Sequence, residues 1–135
     1  MTQREKTMSK VQRGFDAALA ASLLSNAPRP ALRLGASLFA GARLLSVGCN
    51  WYGRSHPESS NSKDFVRSTH AEHQCLVRRQ WKPVGNLTMY VGRLLANGTL
   101  GNSRPCANCL ALAKLAGVRR VWFYGASGKQ EEVIL

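Results

Sequence analysis

The 135-residue chain has the length of one domain, long enough to bury a single core but not two, so residues 1–135 are expected to form one unit. With 44% hydrophobic and 19% charged residues its composition excludes disorder as the dominant state. A formal net charge of +12 favours an anionic ligand or partner, either a nucleotide or a polynucleotide. That charge is spread from Arg4 to Lys129 rather than gathered in one block, and the pairs Arg78–Arg79 and Arg119–Arg120 read equally well as solvated faces.

In chain order, the first expected element is an amphipathic helix over residues 9–25. Val11, Phe15 and Leu19 recur at helical spacing, Ala18 and Leu23 fill the same stripe, and Asn26, Pro28 and Pro30 stop it. The segment follows a basic N-terminus as the apolar core of a signal peptide would, but Asp16 interrupts it. No signal peptide is expected, and no stretch is long and apolar enough to cross a bilayer. A reducing, cytoplasmic setting is therefore the expectation, in which closely spaced cysteines among Cys49, Cys75, Cys106 and Cys109 read as metal ligands rather than as disulfides.

Two apolar runs, 34–40 and 43–49, flank Gly41 and predict a strand hairpin. Residues 50–68, NWYGRSHPESSNSKDFVRS, lack a sustained period and predict a long surface loop of the kind that often serves function. A second helix is expected from Thr69 to Trp81, bounded by Pro83 and Gly85. LTMYVGRLL then reads as a strand closed by the turn pair Asn97–Gly98. SRPCANCLALAKLAG opens with proline at a helix-start position and ends on Gly117, which bounds a third helix. VRRVWFYG and EEVIL are strands joined by GASGKQ, too short for a crossover helix, so the last two strands should form an antiparallel hairpin. Helices alternating with strands in the middle of the chain predict an α/β fold, with a sheet between helical layers.

The two middle helices begin with the richest clusters of metal ligands, HAE at 70–72 and PCANC at 105–109. Cys106 and Cys109 are three apart, so on a first helical turn their sulfurs share a side and can grip one ion at a Zn–S distance of about 2.3 Å. The positive end of the helix favours the thiolates. His70 supplies a third ligand, which leaves the fourth position of a tetrahedron open, as catalytic rather than structural zinc sites do. A structural site would need a fourth protein ligand, for which His73, Cys49 and Cys75 are the candidates. Glu72 lies two residues after His70, a spacing that separates side chains by about 200° in mid-helix. The pair can converge only at a helix start. There a carboxylate beside a divalent ion can take a proton from water and deliver it to a leaving group.

HAE followed by PCANC resembles the signature of the zinc-dependent cytidine and deoxycytidylate deaminase family, HxE with a later PCxxC. SVGCN at 46–50 resembles that family's strand-end segment, and the element order fits along essentially the whole chain. The resemblance implies a three-layer α-β-α fold with a mixed five-stranded sheet and helices on both faces. It further implies that His70, Cys106 and Cys109 bind one Zn²⁺ per subunit, that Glu72 is the catalytic proton shuttle, and that Asn50 contacts the substrate sugar. The backbone of Ala71 and the carbonyl of Arg104 would meet the pyrimidine edge. The implied reaction is hydrolytic replacement of the amine at C4 of a cytosine ring, with Glu72 protonating N3 and then the departing amine, to give a uracil compound and ammonia. Members of the family commonly assemble as homo-oligomers.

Bland readings stand beside these. His73 reads as a helix-surface or packing histidine, Cys49 and Cys75 as small buried apolar residues, and His56 as exposed. Trp51 and Tyr52 either pack or stack on a base, and Trp122, Phe123 and Tyr124 form strand core or subunit interface. Three function classes remain: a deaminase of a free cytosine nucleotide or nucleoside, the same chemistry on cytosine or adenine within single-stranded DNA or RNA, and a non-catalytic zinc-binding module. Glu72 argues against the last. Relatives acting on nucleic acid carry a helix where GASGKQ stands, which favours the free nucleotide, with Arg54, Lys63 and Arg67 as phosphate contacts. The net charge keeps the polynucleotide reading open.

Overall fold

The computed structural model describes residues 2–27, 33–52, 68–77, 86–95 and 97–135. Its elements are α1 (Gln3–Ser22), β1 (Leu34–Ala40), β2 (Arg43–Cys49), β3 (Trp51–Tyr52), β4 (Ser68–Thr69), α2 (Ala71–Val77), β5 (Leu87–Arg93), α3 (Ala107–Leu115), β6 (Val118–Tyr124) and β7 (Gln130–Ile134). Five strands form one sheet in the order β2-β1-β5-β6-β7. Only β5 and β6 run parallel; the other three pairings are antiparallel, including the hairpin β6–β7. No helix among the described residues is long and apolar enough to cross a membrane.

The sheet is covered on both faces, and the alternation of its side chains assigns the layers. Ala36 and Leu38 of β1, Leu87, Met89 and Val91 of β5, and Val121 and Phe123 of β6 pack with Ala71, Cys75 and Leu76 of α2 and Ala113 of α3. The intervening residues Phe39, Tyr90 and Tyr124 point the other way, onto Val11, Phe15 and Ala18 of α1. Phe15 is the centre of that second layer. Its ring lies 4.3 Å from Tyr124 and 5.7 Å, edge-on, from Tyr90, which in turn meets Phe39 edge-on at 5.5 Å.

The helix α1 starts and stops earlier than its apolar stripe predicts. The polar segment from Gln3 is helical, and the end at Ser22 leaves Leu23 and Leu24 exposed, so Ala21 and not Leu23 completes the buried face. The first hairpin follows its prediction residue for residue. Gly41 has φ +59, the conformation that a two-residue reversal asks of its first central position. The expected loop over 50–68 is closed at its ends by a small ribbon, with Trp51 opposite Thr69 and Tyr52 opposite Ser68. Residues 53–67 and 78–85, and with them Arg54, His56, Lys63, Arg67, Arg78 and Arg79, lie outside the described residues. Of the other basic pair, Arg120 forms an exposed ion pair with Glu132 at 3.3 Å, while Arg119 is exposed.

Two tight joints set the positions of α2 and α3. At Gly48 of β2 an added Cβ would lie 2.5 Å from the Cys75 nitrogen and 2.6 Å from the Ala71 oxygen, so α2 rests directly on the β2 backbone. Ser46 Oγ donates to the Cys75 carbonyl at 2.6 Å, and the Cys49 amide donates to Gln74 Oε1 at 2.8 Å. The segment leading into α3 is pinned by buried Ser103. Its amide donates to the Tyr124 carbonyl at 2.8 Å, its hydroxyl donates to the Val91 carbonyl at 2.7 Å, and that hydroxyl accepts from the Tyr124 amide at 2.9 Å.

Both joints are open to test by urea denaturation. Gly48→Ala overpacks the α2–β2 contact and should cost about 1–3 kcal/mol. Ser103→Ala leaves a buried carbonyl and a buried amide short of a partner and should cost about 1–3 kcal/mol. A wild-type midpoint in either variant would show that the joint bears no strain.

Candidate metal centre

His70 directly precedes α2, and its carbonyl accepts the first helical bond, from the Gln74 amide at 3.0 Å. It is therefore the N-cap, with Glu72 in the first turn. The second cluster is built alike. Cys106 is the N-cap of α3 in an extended conformation (φ −71, ψ 163), makes no side-chain capping bond, and precedes Cys109 by one turn. Pro105 thus stands before the cap rather than at the first helical position, and its ring ends the extended approach instead of starting the helix. At the far end Gly117, with φ 89, closes α3 as its position in the sequence predicts.

The two helix starts meet. The Nδ1 of His70 lies 3.3 Å from Cys109 Sγ and 3.8 Å from Cys106 Sγ, and the three ligand atoms all fall within 4.8 Å of one another. A tetrahedral ion with Zn–S of about 2.3 Å and Zn–N of about 2.0–2.1 Å requires N···S separations near 3.5 Å and S···S near about 3.8 Å. The observed N···S distances straddle that value, so two sulfurs and one imidazole nitrogen here can hold a metal ion. Among the described residues no fourth protein ligand joins the group.

The electrostatics suit such an ion. Cys106 is lowered to about 4, first because the Cys109 thiol donates to its sulfur and then because of His70, against an opposing cost of burial. The Cys109 thiol is pushed strongly upward, since it holds the proton that the pair shares and is itself buried near Glu72. A cation between the sulfurs would replace that shared proton. Glu72 is only 5% exposed, and its carboxyl lies near enough to Cys109 for each to shift the other. Burial raises its carboxyl above the ordinary carboxylate range, with partial opposition from the His70 charge, its own backbone N–H and the Cys109 thiol.

The other sequence-predicted residues fall near this centre to different degrees. Asn50 directly follows β2, is 4% exposed, and accepts from the Leu34 amide through Oδ1 at 2.9 Å. The β3–β4 register, run back one residue, sets it across from His70. Ala71 is buried against β2. Arg104 is exposed, with its guanidinium 5.2 Å from the centroid of the Phe123 ring and its amide donating to Asn102 Oδ1 at 3.0 Å. His73 is fully buried, as a packing residue and not as a helix-surface one. Cys49 and Cys75 are buried thiols, and Cys75 donates to the Ser46 carbonyl at 3.5 Å. Trp51 is 39% exposed beside Asn50, whereas Phe123 and Tyr124 are core. The motifs do not point to Gly48, Gln74 and Ser103. Their only signals are a glycine inside a strand and two polar residues flanking the ligand clusters.

No protein-family model matches the chain, and no curated protein matches it in sequence. Solved structures do match in shape. A cytidine deaminase from Burkholderia pseudomallei superposes with a TM-score of 0.61 at 18% identity, over 99% of this chain and 93% of that one. The dCMP deaminase of cyanophage S-TIM5 in apo form gives a TM-score of 0.58 at 20% identity, over 90% and 82%. The same phage protein in complex with dCMP and dUMP gives 0.55 at 19% identity, over 90% and 82%. The sheet order, the helical layers and these superpositions agree: the chain has the cytidine-deaminase-like fold, a mixed five-stranded sheet between helical layers.

Proposed function

We propose that the protein is a zinc-dependent hydrolytic deaminase that converts a cytosine nucleotide or nucleoside, of the dCMP or cytidine type, to the uracil compound and ammonia. The observation that carries the reading is the meeting of His70, Cys106 and Cys109 with Glu72 held against the same thiol. A closed structural site would have no use for a buried carboxylate at its edge. The phage enzyme of like fold was captured with dCMP and dUMP, which differ by an amine against an oxygen at C4 of the base.

In this reading His70 Nδ1 and the sulfurs of Cys106 and Cys109 hold one Zn²⁺. Bound zinc would supply Lewis acidity, making water acidic enough to act as a nucleophile near neutral pH. Glu72 would take one proton from the attacking water and pass it to N3 as the water oxygen bonds to C4, then carry the proton left on that oxygen to the C4 amine, which leaves as ammonia when the C–N bond breaks. Water and the aminopyrimidine thus become the uracil ring and ammonia. Desolvation of Glu72 suits the acid half of the task, because a carboxyl raised above the ordinary carboxylate range holds a proton more readily for delivery. Asn50 would hold the sugar and the backbone of Ala71 and Arg104 the pyrimidine edge. Arg54, Lys63 and Arg67 remain proposed phosphate contacts. Cytosolic action on a soluble substrate fits this chemistry, and assembly of copies into a homo-oligomer is expected.

A second reading, the same reaction on cytosine or adenine within single-stranded nucleic acid, is favoured by the net charge of +12. Ammonia release over cytidine, CMP, dCMP, adenosine and cytosine-containing single-stranded DNA separates the two. Turnover of none of them by the zinc-loaded protein would sink the enzyme reading. Cys109→Ser should reduce bound zinc from about one per chain to a small fraction of that, as read by metal analysis. Glu72→Gln should keep the metal yet lose turnover by about 10²–10⁴-fold. Normal turnover in that variant would remove Glu72 from the proton path.

A further inference from the structure

Arg93 is half-buried, with one atom placed in an unusual way. Among the described residues its Nε is the one side-chain nitrogen or oxygen that is sealed from solvent without a hydrogen-bond partner. Its position follows from strand register. Arg93 ends β5 and continues the alternation of Leu87, Met89 and Val91, so it lies on the face covered by α2 and α3. Its partner across the sheet is Leu34, whose amide and carbonyl are both bonded to Asn50. On its other side the Gly101 amide donates to the Arg93 carbonyl at 2.8 Å, two residues before Ser103. Arg93 therefore stands at the edge of the sheet between Asn50 and the segment that presents Cys106.

The fold makes room for this side chain. A Cβ at Gly101 would lie 2.8 Å from Arg93 Nε and 2.8 Å from Leu95 Cδ2, so glycine keeps a slot open for the guanidinium. A guanidinium N–H sealed from water without an acceptor is costly. A donor kept in that state beside a binding site is matched by an acceptor that arrives with the ligand. Planar, forked and permanently charged, arginine is matched best by a phosphate oxyanion.

We propose that Arg93 is a specificity-determining residue that takes a phosphate group of the substrate, so that the site selects a phosphorylated cytosine compound over the free nucleoside. The proposal rests on the deaminase reading for the identity of the base, though not for the phosphate. The phosphate belongs either to a nucleoside monophosphate or to the phosphodiester of a single strand, and the two sources are separable by experiment.

The test measures the affinity of the zinc-loaded full chain for dCMP, deoxycytidine and a short oligodeoxycytidylate by calorimetry, together with kcat/KM for each. The wild type should prefer dCMP to deoxycytidine, and Arg93→Gln should lower that ratio about 10- to 100-fold. Arg93→Lys, which keeps the charge and the stem but not the fork, should lower it less, and it carries the comparison if Arg93→Gln does not fold. A preference for the oligonucleotide that depends on Arg93 assigns the phosphate to a phosphodiester. No preference for phosphorylated ligands in the wild type, or an unchanged ratio in both variants, overturns the proposal. If no cytosine compound is turned over but dUMP binds better than deoxyuridine in an Arg93-dependent way, the deaminase reading fails and the role of Arg93 stands.

Discussion

The direction of the strands is the constraint on which everything else depends. Both β2 and β5 lie antiparallel to β1, so they point the same way, and their carboxyl ends both fall at the start of β1, where Cys49 faces Gly35 and Arg93 faces Leu34. Each is followed by a helix on the same face of the sheet. Chain continuity then requires α2 and α3 to begin at one edge. Two helix starts are thereby brought together, and side chains placed on those starts converge from segments 36 and 39 residues apart in sequence. This is the crevice at strand carboxyl ends in which open α/β sheets commonly bind ligands.

Precision is added by contacts that cost side-chain variety. Gly48 and Gly35 give up their side chains so that α2 and α1 can approach the sheet on opposite faces, at the backbones of Cys75 and Ser22 respectively. The polar groups exposed by these close approaches are paired by short side chains: Ser46 with Cys75, Ser37 with Gly14 and Ser103 with Val91 and Tyr124. Small, buried hydroxyls therefore do for this molecule what long apolar side chains do in a looser one. They hold helices near the sheet while giving partners to backbone groups at the joint.

What could be read in the chain beforehand divides along physical lines. The five strands of the main sheet were legible because local chemistry decides them: Gly41 turns the first hairpin, Asn97–Gly98 ends the β5 region, and GASGKQ is too short to cross the sheet. The meeting of His70, Cys106 and Cys109 was legible because residue types able to hold one ion stand at helix-start spacing in both segments, and His70 with Glu72 was readable as a helix start because two residues at that spacing cannot converge in mid-helix. The ends of α1 were not, since its polar first turns carry no apolar stripe and Leu23 continues a stripe that the backbone has already left. Nor were Ser103 and Arg93. Their surroundings are assembled from β1, β5, β6 and the approach to α3, and nothing in their immediate neighbours in sequence distinguishes them from surface residues.

The turn after β5 has a consequence of its own. Leu94 bridges to Leu100, the Leu95 amide bonds to the Thr99 carbonyl, and Asn97 Oδ1 accepts from both the amide and the hydroxyl of Thr99, so the excursion from 94 to 100 is closed upon itself. The chain is re-anchored only afterwards, at Gly101 and Ser103. Length at the tip of this excursion is thus mechanically decoupled from the placement of Cys106. The tip at Asn97–Gly98 is a natural point at which residues can be added, or a reporter group attached, while Cys106 and Cys109 keep their separation from His70.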